Sequence, residues 1–291
     1  EFGLFLDSPF HNTDKILIAL YNSVKNFHPN YDSNRLTKEK IFAKLYPKKK
    51  YNDARIRNLL SDLLKCAQDF LSIYSFKNDP LKMNLNLAEE FLMRSRFKEL
   101  EKAHNAIDEL MEKETIRDEK YFERKYLAGK LGFSYRNVLR KKEGSIDELK
   151  LDLYESLRIF FLIGATSLET EISNSARDRF SYGKNPKQRK ELERYLDMEA
   201  KEHGDIIYVR YYYNMYKLGR TQEKKYFHKL REIIKNHYQS LNKTDKRNIF
   251  TALTNYCYYA ANKGDTDLYR DHFELHRENM QKGSYQIKLS E

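Results

Sequence analysis

Asp205 to Tyr238 reads DIIYVRYYYNMYKLGRTQEKKYFHKLREIIKNHY. The first half is rich in aromatics, and Tyr208, Tyr212 and Met215 fall on one face at a spacing of 3.6 residues. Gly219 then marks a turn, since glycine tolerates the left-handed backbone that closes a helix. A charged helix follows. Asp245 to Met280 repeats this outline around Gly264, 45 residues further on. Two helix pairs of the same design, joined by short turns, predict antiparallel neighbours and an all-α fold.

The same texture extends outward through the chain. Helical segments are predicted at roughly 81–95, 97–113, 118–132, 146–179, 187–203, 205–218, 221–240, 245–262 and 266–282. Most breaks between them carry a glycine: Gly144, Gly183, Gly204, Gly219, Gly264 or Gly283. Three helices precede Pro80, at about Thr13–Phe27, Thr37–Tyr46 and Asp53–Tyr74, and Pro47 stops the second. In the third, Ile56, Leu60, Leu63, Ala67, Phe70, Leu71 and Tyr74 form one stripe that Leu59 and Leu64 widen. This places Leu60 and Leu63 in the core against the first helix. Residues 1–79 read as an N-terminal helical domain and 80–291 as a second domain.

Composition supports the helical reading. There are three valines, 5 prolines and 10 glycines in 291 residues, too few for a sheet protein of this size. Aromatic residues reach 14% and net charge is +11. The longest stretch without a charge, Asn248 to Asn262, is shorter and more polar than a bilayer span requires, so no membrane partner is expected. Cys66 and Cys257 are too few for a disulfide framework, which suggests a reducing cytoplasm. The chain opens on Glu1, with no charged-then-apolar leader, and reads as a segment of a longer protein.

The helix pairs of 80–291 resemble tetratricopeptide-type repeats. In the last pair Leu253, Tyr256 and Ala260 occupy first-helix core positions and Phe273 the second-helix aromatic, while Tyr269 stands where the motif prefers a small residue. The segment Leu87 to Met111, turning near Ser95-Arg96-Phe97, has a similar outline. The resemblance implies a right-handed solenoid of helix pairs and a scaffold role. Residues 36–67, LTKEKIFAKLYPKKKYNDARIRNLLSDLLKCA, resemble the helix pair of the winged helix in bacterial transcriptional activators that carry such repeats. Leu45-Tyr46-Pro47 matches the stop after the second helix, and Ile56 to Leu63 the pattern of the third. That resemblance implies a helix lying in a DNA major groove.

The candidate nucleic-acid contacts are Lys48, Lys49, Lys50, Arg55, Arg57, Asn58, Ser61 and Lys65, with Lys44 completing the basic cluster. Clustered cations neutralise phosphates, and Asn58 is the obvious base-edge reader. Tyr211 and Tyr213 are candidate partner contacts, exposed on a concave groove, while the other tyrosines of the run pack in the core with their phenol tips at the rim.

Other patterns carry little chemistry. His272 and His276 are spaced like metal ligands, but H-F-E-L-H lacks the protease order and a third ligand. Glu101-x-x-His104 lacks the second motif a di-iron bundle needs. Gly129-Lys130-Leu131-Gly132 lacks the phosphate-loop spacing. The expected function is therefore a non-enzymatic scaffold for a protein partner, with no cofactor and no metal. The alternative is a DNA-binding regulator whose repeats sense a partner.

Overall fold

A computed structural model describes residues 1–31, 33–138, 144–175 and 186–283. About four-fifths of it is helical; the described residues form thirteen α-helices and no strands, so the fold is all-α. No helix among the described residues is long and apolar enough to cross a membrane. The chain divides into two compact units, Glu1–Met83 and Asn84–Glu291.

In the first unit, α1 (Phe2–Asp7), α2 (Lys15–Val24), α3 (Lys38–Leu45) and α4 (Asp53–Lys77) pack together. Their starts are specified locally. Asp14, Thr37 and Asn52 are N-caps whose side chains accept from the backbone N–H groups of Ile16, Lys40 and Arg55. Leu17, Leu20, Ile41, Phe42, Tyr46, Ile56 and Leu59 form the core.

α4 is rotated from the expected orientation. Ile56 and Leu59 are the buried positions, Leu60 and Leu63 are half-buried at the core margin, and Leu64, Leu71 and Tyr74 are exposed. The reason is the additional helix α1, which the sequence reading leaves as loop. Phe2 and Phe5 lay their rings against Phe70 at 5.4 and 5.6 Å, which turns the 59–63–70 edge of α4 inward.

The second unit is a run of helices that pack mainly on their neighbours in sequence. Helix α5 (Pro80–Met93) enters it, followed by α6 (Phe97–Lys113), α7 (Glu119–Val138) and α8 (Gly144–Ser175). Then come α9 (Pro186–Glu202), α10 (Ile207–Thr221), α11 (Lys224–His237), α12 (Lys243–Asn262) and α13 (Leu268–Lys282). Helix α10 is the hub, packing on α8, α9, α11 and α12. With 32 residues, α8 is about 48 Å long and backs much of the unit. The core runs through Leu162, Tyr208, Phe227, Leu230, Phe250 and Leu253.

One helix runs longer than expected and one turn assignment changes. Gly129 and Gly132 lie inside α7, which continues to Val138; a Cβ at Gly132 would stand 2.5 Å from the His104 ring, so this glycine lets α6 and α7 approach closely. Gly219 lies inside α10. The left-handed residue that ends this helix is Gln222, at φ 57°, and its side-chain amide donates to the carbonyls of Leu218 and Gly219. Gly264 and Gly283 do adopt positive φ after α12 and α13. Gly183 lies outside the described residues.

In the last pair Leu253, Tyr256 and Ala260 are buried as expected. Phe273 is not a core aromatic: it is 67% exposed, because α13 turns Leu268, Leu275 and Asn279 inward.

Candidate functional site

The sequence run beginning at Tyr208 builds the floor of a groove in the second unit. Tyr208, Tyr211 and Tyr212 project from the first turns of α10 toward the start of α12. The Tyr208 hydroxyl accepts the backbone N–H of Asn242 at 2.6 Å, and the Tyr212 hydroxyl donates to Asp245 Oδ1 at 3.0 Å. Asn242 is the N-cap of α12 and ties three elements together. Its Oδ1 accepts from the Asp245 backbone N–H at 2.9 Å, and its Nδ2 donates to Asp118 Oδ2 at 3.1 Å. Asp118 in turn caps α7, accepting the backbone N–H of Tyr121.

Asp245 is the unusual member. It is 2% exposed, and the Tyr211 phenol faces the same carboxylate. Burial, then the carboxylate of Asp118, pushes the Asp245 carboxyl up from the ordinary range, although its phenol and amide partners act in the opposite sense. Glu119 is raised as well, first by burial and then by Glu123, Asp118, Asp245 and Glu171 around it. The tyrosine hydroxyls are pushed well above their usual range by burial, so they remain donors at neutral pH.

Above this floor opens a groove of about 760 Å³ between the C-terminal half of α8, α10 and α12. One wall is a helical face of α12, where Thr244, Asn248, Thr251 and Asn255 follow at 3–4 residue spacing, all exposed. Ser167, Thr170 and Glu171 of α8 form the other. Among the described residues its charged lining is Asp118, Glu171, Lys243 and Asp245.

The two tyrosines singled out by the sequence separate. Tyr211 is 1% exposed, so its expected place on an open surface is corrected: it borders the groove from beneath as part of the packed floor. Tyr213 is half-buried on the opposite side of α10, where it lines a second cavity of about 540 Å³ with Arg210, Asn214 and His237. Its hydroxyl donates to Asp197 Oδ1 at 2.9 Å, which ties it to α9. Lys217 joins this seam at 2.7 Å from Asp197 and 3.3 Å from Glu193; burial alone would lower its pKa, but the two carboxylates raise it. The signal for the groove itself was missed. Asn248 and Asn255 share a face of α12 by spacing, but only the meeting of α8, α10 and α12 makes that face the wall of a groove.

In the first unit, Lys48, Lys49, Lys50, Arg55, Arg57, Asn58, Ser61 and Lys65 are all exposed. Arg55, Asn58, Ser61 and Lys65 lie on the outward side of α4. Several cations already have partners. The Arg55 guanidinium sits 4.4 Å from the centre of the Tyr46 ring, Arg57 pairs with Asp53 at 2.8 Å, and Lys65 with Asp62 at 3.4 Å.

Among the described residues one group, Glu199, Glu202 and His203, converges closely enough to hold a metal ion. An internal cation already occupies it. Arg158 of α8 donates to both oxygens of Glu199, at 2.8 and 3.0 Å, and to Glu202 at 2.7 Å. The cluster is an ion-pair brace between α8 and α9.

Comparison with protein-family models, curated proteins and solved structures finds no match to this chain.

Proposed function

We propose that the chain is a non-enzymatic scaffold of TPR-like helix pairs, acting in the cytoplasm, that holds an extended segment of a protein partner in the groove between α8, α10 and α12. The observation that carries this reading is the row Thr244, Asn248, Thr251, Asn255. Carboxamides offer donors and acceptors together, which is what the backbone of an extended peptide requires. Four residues of helix rise about 6 Å. Two residues of extended chain advance about 6.6 Å. The four-residue steps, Thr244 to Asn248 and Thr251 to Asn255, therefore come close to the spacing of alternate peptide groups of a strand-like ligand, while the three-residue step between them rises about 4.5 Å. An array of extended 12-residue peptides tests this. The reading predicts that a subset binds and that Asn248→Ala with Asn255→Ala weakens every member of it; peptide binding untouched by the double substitution would refute it.

The outward row Arg55, Asn58, Ser61 and Lys65 on α4 favours a second reading, a DNA-binding regulator using 36–67. Asp62 on the same side and the pairing of Lys65 and Arg57 to carboxylates reduce the charge available to phosphates. A salt-titrated duplex-binding assay separates the two: absence of affinity near ~50 mM salt, where electrostatic binding is strong, removes this reading.

A further inference from the structure

Helix α8 is apolar on two opposite sides. One side, with Ile159, Leu162, Ile163 and Thr166, is buried in the second unit. The other presents Tyr154, Leu157, Phe161 and Leu168, with the half-buried Ala165 between the last two, at the three- and four-residue steps of a single helix face. Arg158, at the edge of this face, is turned into the carboxylates of α9. Leu151 continues the patch toward the start of α8. On α9, the Tyr195 ring lies 6.0 Å from Phe161, and Met198 follows three residues on. Leu151, Tyr154, Leu157, Phe161, Leu168 and Met198 are each between 39 and 69% exposed. At about 200 Å² for a whole large side chain they leave roughly 600–700 Å² of mainly apolar surface open, more than an ordinary monomer shows in one patch. A helix that is apolar all round is normally covered on every side.

We infer that this face of α8 is a homodimer interface, covered by the same face of a second copy that runs antiparallel across a two-fold axis at Phe161. The area fits: a standard interface buries about 800 Å² per partner, an apolar centre with a polar rim. The spacing fits a second copy in particular. Leu157 and Ala165 stand four residues on either side of Phe161, and Tyr154 and Leu168 stand seven. A two-fold axis at Phe161 therefore sets each Phe161 ring against its counterpart, Leu157 against Ala165, and Tyr154 against Leu168. An isologous contact requires this self-complementarity, in which each position meets its mirror position in the pattern. The inference stands apart from what the groove holds.

Sedimentation velocity on the full chain, from about 1 to 100 µM, covers the weak end of the affinities that interfaces of this size reach. The expected result is a species of twice the 35.0 kDa chain mass that builds up with concentration. Phe161→Asp puts two like charges at the axis and should weaken the dimer by about thirtyfold or more, the effect of losing an interface hot spot. Leu168→Asp, at a more exposed position, gives the same readout should Phe161→Asp fail to fold. Tyr258→Asp, on the exposed side of α12, should leave the dimer unchanged. The register has its own test. In a Cys66→Ser background only the buried Cys257 remains. There, Phe161→Cys should form an interchain disulfide on mild oxidation, because its counterpart lies directly across the axis. Leu168→Cys should not, since its counterpart is displaced by about 21 Å of helix. A monomer at every concentration overturns the inference and leaves this face to a different partner. A dimer untouched by the folded α8 variants overturns it too, as does equal disulfide yield from positions 161 and 168.

Discussion

Removing the Arg158 guanidinium exposes how the groove wall is braced. Arg158 is largely buried on α8, and its Nε and Nη2 donate in parallel to the two oxygens of Glu199 on α9. Glu199 is the sensitive partner, because its side chain is 2% exposed. Glu202 and Glu155 also accept from Arg158, but both are about half exposed, and water can replace those bonds. Substituting Arg158→Met keeps most of the packing and strands the Glu199 charge. Breaking one partner of a buried pair costs ~3–5 kcal/mol. For a chain of this size, with an unfolding entropy of roughly 0.6 kcal/mol/K, that corresponds to a fall in melting temperature of roughly 5–8 °C. Replacing both residues, Arg158→Met with Glu199→Met, should recover most of the loss, since a buried pair contributes little over an apolar pair of similar volume. Thermal and urea denaturation followed by circular dichroism at 222 nm read both effects. A single-variant loss under about 1 kcal/mol, the size of a surface pair, would refute the buried-brace reading.

Asp245→Asn carries a pH signature. The folded carboxyl titrates above its unfolded value, so its contribution to stability is present below the unfolded pKa near 3.9 and is lost as pH rises through the folded one. The variant should therefore gain melting temperature relative to the parent between pH 4 and pH 7; a difference independent of pH would show that Asp245 is not strained by ionisation. In the first unit, Ile56→Ala should destabilise by ~2–5 kcal/mol and the half-buried Leu60→Ala by distinctly less, and equal losses in urea titrations would contradict the rotated α4. Replacing Phe273 on α13 by Ser should change stability by no more than about 0.5 kcal/mol, as expected of an exposed site; a larger loss would place it back in the core.

Periodicity made the helices legible because nearly every segment keeps an apolar face. Leu253, Tyr256 and Ala260 could be placed in the core from spacing alone, and they are buried. The rotation of α4 could not, because Leu59, Leu60, Leu63 and Leu64 offer two overlapping stripes. The choice between them is made by Phe2 and Phe5, on a helix of six residues too short to show a period. The turn after α10 was misplaced for a related reason: glycine is the usual left-handed residue, and here Gln222 takes that conformation with its own amide capping the helix. The basic face of α4 was visible as a cluster of cations, but their pairing with Asp53, Asp62 and the Tyr46 ring was not. The groove lay beyond reach of linear pattern. Asp118 and Asn242 are 124 residues apart in sequence and meet only when α7 and α12 are packed.

The most direct measurement is site-specific photocrosslinking with a benzophenone side chain introduced at Asn248, inside the groove, or at Tyr258, exposed on α12 and absent from the groove lining. With a peptide selected on the array, the scaffold account predicts covalent capture from position 248, competed by excess unlabelled peptide, and little from position 258. Capture from 258 with none from 248 would place the partner elsewhere and contradict it.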